Sequence, residues 1–208
     1  LTVNDLLPFR ADSVGRPLDG VELQIRNAHP ETQVGEVWAK SRTVMLGYLN
    51  EPELTAETIM DGWLRTGDLG FLDPSGQLHL RGRSKNMIVT AGGKNVYPED
   101  IEGAFAGVPC DELAVFATGY VWPGVALTEE GLFVVVRAEK LDDAAARNAL
   151  LEAIRVRNGR LPDYKRVSGV LPFAGEFPRT ASMKIKRAAL ADALRTQSPR
   201  GAILPVGA

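Results

Sequence analysis

The feature that most constrains this chain is a change of hydrophobic period near Arg83-Ser84-Lys85. Upstream, from Gly15 to Arg83, apolar residues recur in short runs at every second position, interrupted by turn formers. Val21-Glu22-Leu23-Gln24-Ile25 and Glu36-Val37-Trp38-Ala39-Lys40 alternate in this way, so each reads as a half-buried strand. Between Asn50 and Met60 the pattern becomes helical: Asn50 can cap, Pro52 sits in the first turn, and Leu54, Thr58 and Ile59 share one face. Phe71-Leu72 and Gln77-Leu78-His79-Leu80 then flank Asp73-Pro74-Ser75-Gly76. Proline second and glycine fourth favour a type I turn, which makes this a hairpin.

Downstream of Arg83 the chain reads as mixed α and β. Met87-Ile88-Val89-Thr90 and Asn95-Val96-Tyr97 are short strand candidates around the loop Ala91-Gly92-Gly93-Lys94. A helix starts at Pro98, where proline costs no intrahelical hydrogen bond and Glu99, Asp100 and Glu102 meet the positive end of the helix dipole. Leu113–Ala117 and Leu132–Arg137 read as buried strands joined by a loop from Tyr120 to Glu130. A longer helix is expected from about Asp142 to Asn158, with Arg155 and Arg157 in its last turn and Gly159 beyond. Val167–Leu171 follows as a strand, Pro172–Lys184 as a long loop and Arg187–Leu194 as a final helix. The tail from about Ser198, with Pro199, Gly201, Pro205 and Gly207, is expected to be disordered. The fold class is therefore α+β in two domains, a β-rich one over residues 1–84 and a mixed one over 85–208.

Composition narrows the function classes. Hydrophobic residues make up 45% of the 208 and charged residues 24%, enough to build a soluble core. A net charge of −2 provides no global field toward nucleic acid or an anionic membrane, so neither is an expected partner. Apolar runs such as Leu132–Val136 are far shorter than the ~20 residues of a membrane span. The start, Leu1-Thr2-Val3-Asn4-Asp5, lacks the basic-then-apolar order of a signal peptide, so a cytoplasmic location is the default. It also lacks an initiator methionine, the mark of an excised fragment. Cys110, the single cysteine, excludes an internal disulfide and a thiol pair for zinc, and reads as a small buried apolar residue.

Three segments carry candidate chemistry. In Trp63-Leu64-Arg65-Thr66-Gly67-Asp68, a glycine before an aspartate in a turn feeding a hairpin can hold a carboxylate at a sheet edge, ready for a vicinal diol such as a ribose. Read alone, an aspartate capping its own turn is the commoner explanation. In the second segment, Arg81-Gly82-Arg83-Ser84-Lys85 leads to Gly92-Gly93 and Tyr97-Pro98-Glu99-Asp100-Ile101-Glu102. The glycines allow close approach of a ligand to backbone, or simply a β-turn. The third is Phe177-Pro178-Arg179-Thr180-Ala181-Ser182-Met183-Lys184-Ile185-Lys186-Arg187, whose clustered cations mark an anion site or a solvated helix start.

Taken in order, these segments resemble the adenylate-forming superfamily of acyl-CoA synthetases, fatty acyl-AMP ligases, luciferases and nonribosomal peptide adenylation domains. Gly35-Glu36-Val37 and Gly47-Tyr48-Leu49 come first, then Gly62 to Asp68, Gly82-Arg83 through Glu102, and Pro178-Arg179-Thr180 leading to Lys184. The resemblance covers roughly residues 14 to 195. It implies the end of a large nucleotide-binding domain followed by a mobile α+β C-terminal lid. Asp68 matches the family's contact to the ATP ribose and Arg83 the arginine that helps hold the same ribose or the phosphate side, while Lys85 matches its hinge, Lys184 the catalytic lysine of adenylation, and the Gly92-Gly93 loop the part that meets the acceptor's pantetheine. The implied reaction is ATP-dependent activation of a fatty or other organic acid, with Mg²⁺, and transfer to CoA. Delivery to an acyl carrier protein by a fatty acyl-AMP ligase is the alternative within the family, and a non-catalytic binding module the alternative outside it. Met183 stands where the family usually has glycine. The family's phosphate loop and acyl pocket are expected upstream, so these 208 residues alone are expected not to form acyl-adenylate.

Overall fold

A computed structural model describes residues 1–4, 9–90, 92–124, 131–139, 141 and 143–206. The chain divides into two compact units, Leu1–Met87 and Ile88–Ala208.

In the first unit, β1 (Thr2–Val3) and β2 (Arg16–Pro17) form a small antiparallel ribbon. The main sheet contains β3 (Glu22–Arg26), β4 (Gly35–Lys40), β5 (Ile59–Met60), β6 (Trp63–Leu72) and β7 (Leu78–Arg83). Its order is β3-β4-β6-β5, with β7 also paired to β6. The alternation seen in the sequence is the cause: Val37 and Ala39 are buried, as are Leu69 and Leu78. Helix α1 (Pro52–Thr58) is where the helical spacing placed it, but Asn50 does not cap it. Asn50 takes a left-handed backbone with φ of 60°, and Glu51 occupies the cap position without a side-chain bond.

The turn between β6 and β7 is held by Asp73. Its Oδ1 accepts the Ser75 and Gln77 backbone N–H groups at 2.8 and 3.0 Å, together with the Ser75 hydroxyl. Its Oδ2 meets Arg10 at 3.1 Å and His79 Nε2 at 3.2 Å. The Ser75 hydroxyl and the Gln77 N–H, with His79 and the Ser75 N–H adding to them, hold the Asp73 carboxyl well below the usual carboxylate range.

The second unit opens with the ribbon of β8 (Ile88–Val89) and β9 (Asn95–Val96), followed by α2 (Pro98–Ala104). Its sheet comprises β10 (Glu112–Ala117), β11 (Leu132–Arg137), β12 (Val167–Pro172) and β13 (Leu204–Pro205), in that order. Pairings run antiparallel, parallel, antiparallel. A parallel neighbour requires a crossover, and α4 (Ala144–Asn158) supplies it between β11 and β12. Asp143 caps α4 by accepting the Ala145 N–H at 2.8 Å; Asp142, the expected start, lies outside the described residues. Residues 125–130 of the expected 120–130 loop also lie outside them, and Tyr120 stands instead in the short helix α3 (Thr118–Val121). The last helix, α5 (Arg187–Gln197), runs three residues further than the spacing suggested.

Strands β10 and β11 are apolar at nearly every position because both faces of the sheet are covered. Val115, Val134 and Val136 face a cluster with Ile101, Phe105, Leu150 and Ile154 from α2, α4 and the turn after α2. Ala114, Phe116, Phe133 and Val135 face another with Val121, Phe173, Phe177, Leu190 and Leu194. Each large side chain so buried contributes about 1.5–3 kcal/mol of transfer free energy. Cys110 packs, half-buried, against the first cluster, and burial with the adjacent Asp111 pushes its thiol up.

The tail from Ser198 is ordered through Val206, a correction to the expected disorder. Leu204 pairs with Val170 and Pro205 with Gly169, and Val206 is buried. The reason is Gly169. A Cβ there would stand 2.4 Å from Ile203 and 2.7 Å from the Leu204 carbonyl, so only glycine admits this close strand. Proline is tolerated in such a terminal edge strand, which is why turn-forming composition misled. No helix among the described residues is long and apolar enough to cross a membrane.

Candidate functional site

Asp68 and Arg83, fifteen positions apart, are cross-strand partners on β6 and β7. Arg83 Nε donates to Asp68 Oδ1 at 2.8 Å. Thr66-Gly67-Asp68 is not the turn expected from its composition but a bulge inside the ten-residue strand β6. On β4, Glu36 faces Leu69 and Trp38 faces Arg65, so three residues of β6 oppose Val37 alone. Gly67 permits this with φ of 72°. The Thr66 hydroxyl closes the bulge, donating to the Val37 carbonyl at 2.7 Å and accepting the Asp68 N–H at 3.1 Å. Beside it, Glu36 is buried under Arg65 at 2.8 Å and the Trp38 indole N–H at 3.3 Å.

The result is a carboxylate fixed by its own backbone on an interior strand, between β4 and β7, and not at the sheet edge expected from the sequence. The Arg83 contact uses one oxygen and one guanidinium nitrogen, with side chains 32% and 44% exposed, so both groups remain reachable by a ligand. An ionised carboxylate has about four acceptor positions, enough for a vicinal diol in addition to the arginine. Lys85 lies in a single 3₁₀ turn, Ser84–Asn86, directly after β7, and is exposed.

In the second unit, Gly92 and Gly93 form the exposed tip of the β8–β9 ribbon. Gly93 N–H donates to the Thr90 carbonyl at 2.8 Å, Thr90 N–H to the Lys94 carbonyl at 3.0 Å and Lys94 N–H to the Thr90 hydroxyl at 3.1 Å. Lys184 sits on a second turn of the same construction. Met183 N–H donates to the Thr180 carbonyl at 2.9 Å, Thr180 N–H to the Lys184 carbonyl at 2.8 Å and Lys184 N–H to the Thr180 hydroxyl at 3.1 Å. The fourth residue is left-handed in both, Gly93 at 72° and Met183 at 64°. The chain thus keeps the backbone that glycine favours even though it carries methionine there. Lys184 is exposed at the end of this turn.

The cation cluster at 179–187 resolves into two kinds of residue. Arg179 and Arg187 are bound by carboxylates, Glu112 and Glu102 respectively, while Lys184 and Lys186 are exposed. Glu102 also accepts the Val115 N–H at 2.8 Å, and Arg187 donates to the Val115 carbonyl at 2.8 Å. Together they satisfy both outward backbone groups of Val115 on β10, the edge strand of this sheet among the described residues. Lys165 Nζ binds Asp100 at 2.7 Å, so the acidic start of α2 is spent on ion pairs as well as on the helix dipole. None of these pairings is visible in the sequence, because partners 65 to 85 positions apart leave no spacing signal. A cavity of about 370 Å³ bordered by Asp111, Arg137, Leu141 and Phe173 contains none of the expected site residues.

No family model matches the chain. Over 206 residues, 94% of its length, it is 35% identical to the medium/long-chain-fatty-acid–[acyl-carrier-protein] ligase FadD10 of Mycobacterium tuberculosis. It is 38% identical over 185 residues, 86% of its length, to the 2-succinylbenzoate–CoA ligase of Lactococcus lactis. Among solved structures it superposes with a TM-score of 0.67 and 26% identity on the O-succinylbenzoate coenzyme A synthetase of Bacillus subtilis in complex with AMP, covering 91% of this chain and 35% of that one. The chain belongs to the adenylate-forming superfamily, in the region that makes the C-terminal part of its members. It spans 37% of the length of the FadD10 relative and 35% of the Lactococcus ligase.

Proposed function

We propose that this chain is the ribose-binding edge and C-terminal lid of an ATP-dependent carboxylate ligase, acting in the cytoplasm on a fatty or other organic acid. The observation that carries this is the Asp68–Arg83 pair, cross-strand partners on β6 and β7 held by a glycine bulge. In the first half-reaction the substrate carboxylate attacks the α-phosphorus of ATP, the bond to pyrophosphate breaks, and an acyl-adenylate forms. Asp68 would accept from the ribose hydroxyls while the bond from Arg83 holds its carboxylate in orientation. Lys184, at the end of a rigid turn, would bring an ammonium to the charge crowding the α-phosphate. Mg²⁺ would come with ATP and offset the charge of its β- and γ-phosphates, which leave as pyrophosphate.

In the second half-reaction a thiol sulfur attacks the acyl carbon and AMP leaves. The lysine must then withdraw, and rotation about Lys85 would bring the Gly92-Gly93 turn to the incoming pantetheine. No atom of the described residues stands within 4 Å of a Cβ added at Gly93, which suits close passage of a ligand along that backbone. CoA is the acceptor we favour. The second reading, delivery to an acyl carrier protein, is favoured by the high coverage of the FadD10 match, a ligase of that class.

The test is made in the family-length protein that carries this segment. Lys184→Ala should lower acid-dependent ATP–pyrophosphate exchange by roughly 100- to 1,000-fold and leave thioester formation from supplied acyl-adenylate within about threefold. Equal loss of both half-reactions would defeat the assignment. Thioester formed with CoA selects the first acceptor; adenylate formed with CoA inert but carrier protein active selects the second. The 208-residue chain alone should give no exchange above background.

A further inference from the structure

We infer that Arg179 is the positioning residue for the Lys184 turn, clamping it to the edge of the sheet through Glu112; this rests on the reading of Lys184 given above. Three turns in the chain share one construction. Each begins with a residue whose side-chain oxygen accepts the N–H of the fifth residue: Asp73 with Gln77, Thr90 with Lys94 and Thr180 with Lys184. In each, the fourth residue donates to the carbonyl of the first, at 2.8, 2.8 and 2.9 Å. The fourth residue is left-handed every time, at 79° for Gly76, 72° for Gly93 and 64° for Met183. Two of the turns therefore use the residue that adopts this backbone without strain, and the one bearing Lys184 does not. A side chain in that region costs about 1–2 kcal/mol, so the Met183 turn needs an external hold that the glycine turns do not.

Arg179 supplies that hold. Its Nη1 donates to the Met183 carbonyl at 2.5 Å, on the peptide that leads into Lys184. Its Nη2 donates to Glu112 Oε1, also at 2.5 Å. Glu112 opens β10 and is only 16% exposed, with Arg137 3.8 Å away on the neighbouring strand. One planar guanidinium thus ties the strained peptide to a carboxylate anchored in the sheet. A lysine in its place has a single ammonium and cannot reproduce the fork. The bridge between Arg179 and Ile185 and the Lys186 N–H to Pro178 carbonyl bond at 2.7 Å close the same loop from below. The lysine stem therefore emerges from a frame whose orientation Arg179 sets, and adenylation depends on that orientation because an ammonium displaced by ~1 Å loses on the order of a hundredfold in rate.

The experiment compares Arg179→Ala, Arg179→Lys, Lys184→Ala and the Arg179→Ala/Lys184→Ala double variant in the family-length protein, measuring pyrophosphate exchange and thioester formation from supplied acyl-adenylate. Arg179→Ala should lower kcat for exchange by roughly 10- to 100-fold with KM for ATP nearly unchanged and the thioester step within about twofold. Arg179→Lys should recover only part of it. The double variant should be no slower than Lys184→Ala, since a residue acting through the lysine has nothing left to act on. Hydrogen exchange at the Lys184 amide should quicken in Arg179→Ala while that at Val115 is unchanged, which separates a loosened turn from a loosened domain. Exchange activity kept in Arg179→Ala but lost in Lys184→Ala overturns the positioning role and leaves the lysine's role standing. Exchange activity kept in Lys184→Ala overturns both. Parallel loss of both half-reactions, or additive losses in the double variant, reduces Arg179 to a residue of general folding and also overturns the inference.

Discussion

Replacing Glu102 by alanine tests how the edge of the second unit's sheet is sealed. Val115 lies in β10, whose outer side has no neighbouring strand among the described residues, and its N–H donates to Glu102 at 2.8 Å while Arg187 donates to its carbonyl at 2.8 Å. The two side chains also pair with each other, at 20% and 14% exposure. Removing the carboxylate leaves a buried N–H without a partner, which costs about 1–3 kcal/mol. It also strands Arg187 without its counter-charge. A fully buried pair broken in this way costs about 3–5 kcal/mol, and partial exposure reduces that. The sum for Glu102→Ala is about 2–4 kcal/mol, which at the size of the unit, residues 88–208, corresponds to a fall of roughly 10 °C in Tm. Glu102→Gln keeps the acceptor for Val115 and loses only the charge, so about 1 kcal/mol is expected. The assays are urea unfolding, followed at Trp122, which packs 5.3 Å from Phe133 in this unit, and hydrogen exchange at the Val115 amide. A loss below 1 kcal/mol for alanine, or equal losses for alanine and glutamine, would refute the argument that backbone satisfaction dominates.

Three further outcomes are expected. Asp73 is ionised in the folded state at pH values where the unfolded chain is already protonated, so its contribution is complete above about pH 4 and is lost as pH falls below that; acid unfolding of Asp73→Asn should show a flatter limb over that range, and an unchanged limb would contradict the assignment. Met183→Gly relieves about 1–2 kcal/mol of left-handed strain against roughly 0.5–1 kcal/mol of added chain entropy, so denaturation should move by less than about 1 kcal/mol; Met183→Val should cost more than that, and equal stability of the valine variant would disprove the strain. Cys110, with its thiol raised by burial and Asp111, should react with iodoacetamide at pH 8 more slowly than free cysteine, and a rate matching the free thiol would show the site to be open.

The candidate site residues Asp68, Arg83, Gly92, Gly93 and Lys184 are legible in the sequence as members of ordered motifs, because such motifs place particular residue types within a few positions of one another. The Asp73–Gly76 hairpin was legible for the same reason: proline and glycine act through their own backbones. What escaped reading was action at a distance. Asn50 has cap chemistry yet turns away, since the Tyr48 N–H and Thr55 hydroxyl bond at 2.9 Å fixes the entry to α1 differently. Thr66-Gly67-Asp68 has turn composition, but the register between β4 and β6 makes it a bulge. The tail has the composition of disorder and is nevertheless a strand, because a glycine 35 positions earlier leaves room for it.

By itself, then, the sequence determined the α+β class, the change of character near Arg83, and the order of the strands and helices along the chain. Each follows from local propensity and period, which a few neighbouring residues settle. Only the tertiary structure decided that Arg187 and Glu102 seal an edge strand, that Asp68 and Arg83 are partners, and that Arg179 holds the turn of Lys184. Those are free energies of pairing between groups far apart along the chain, and they exist only once the sheet has set the distance between them.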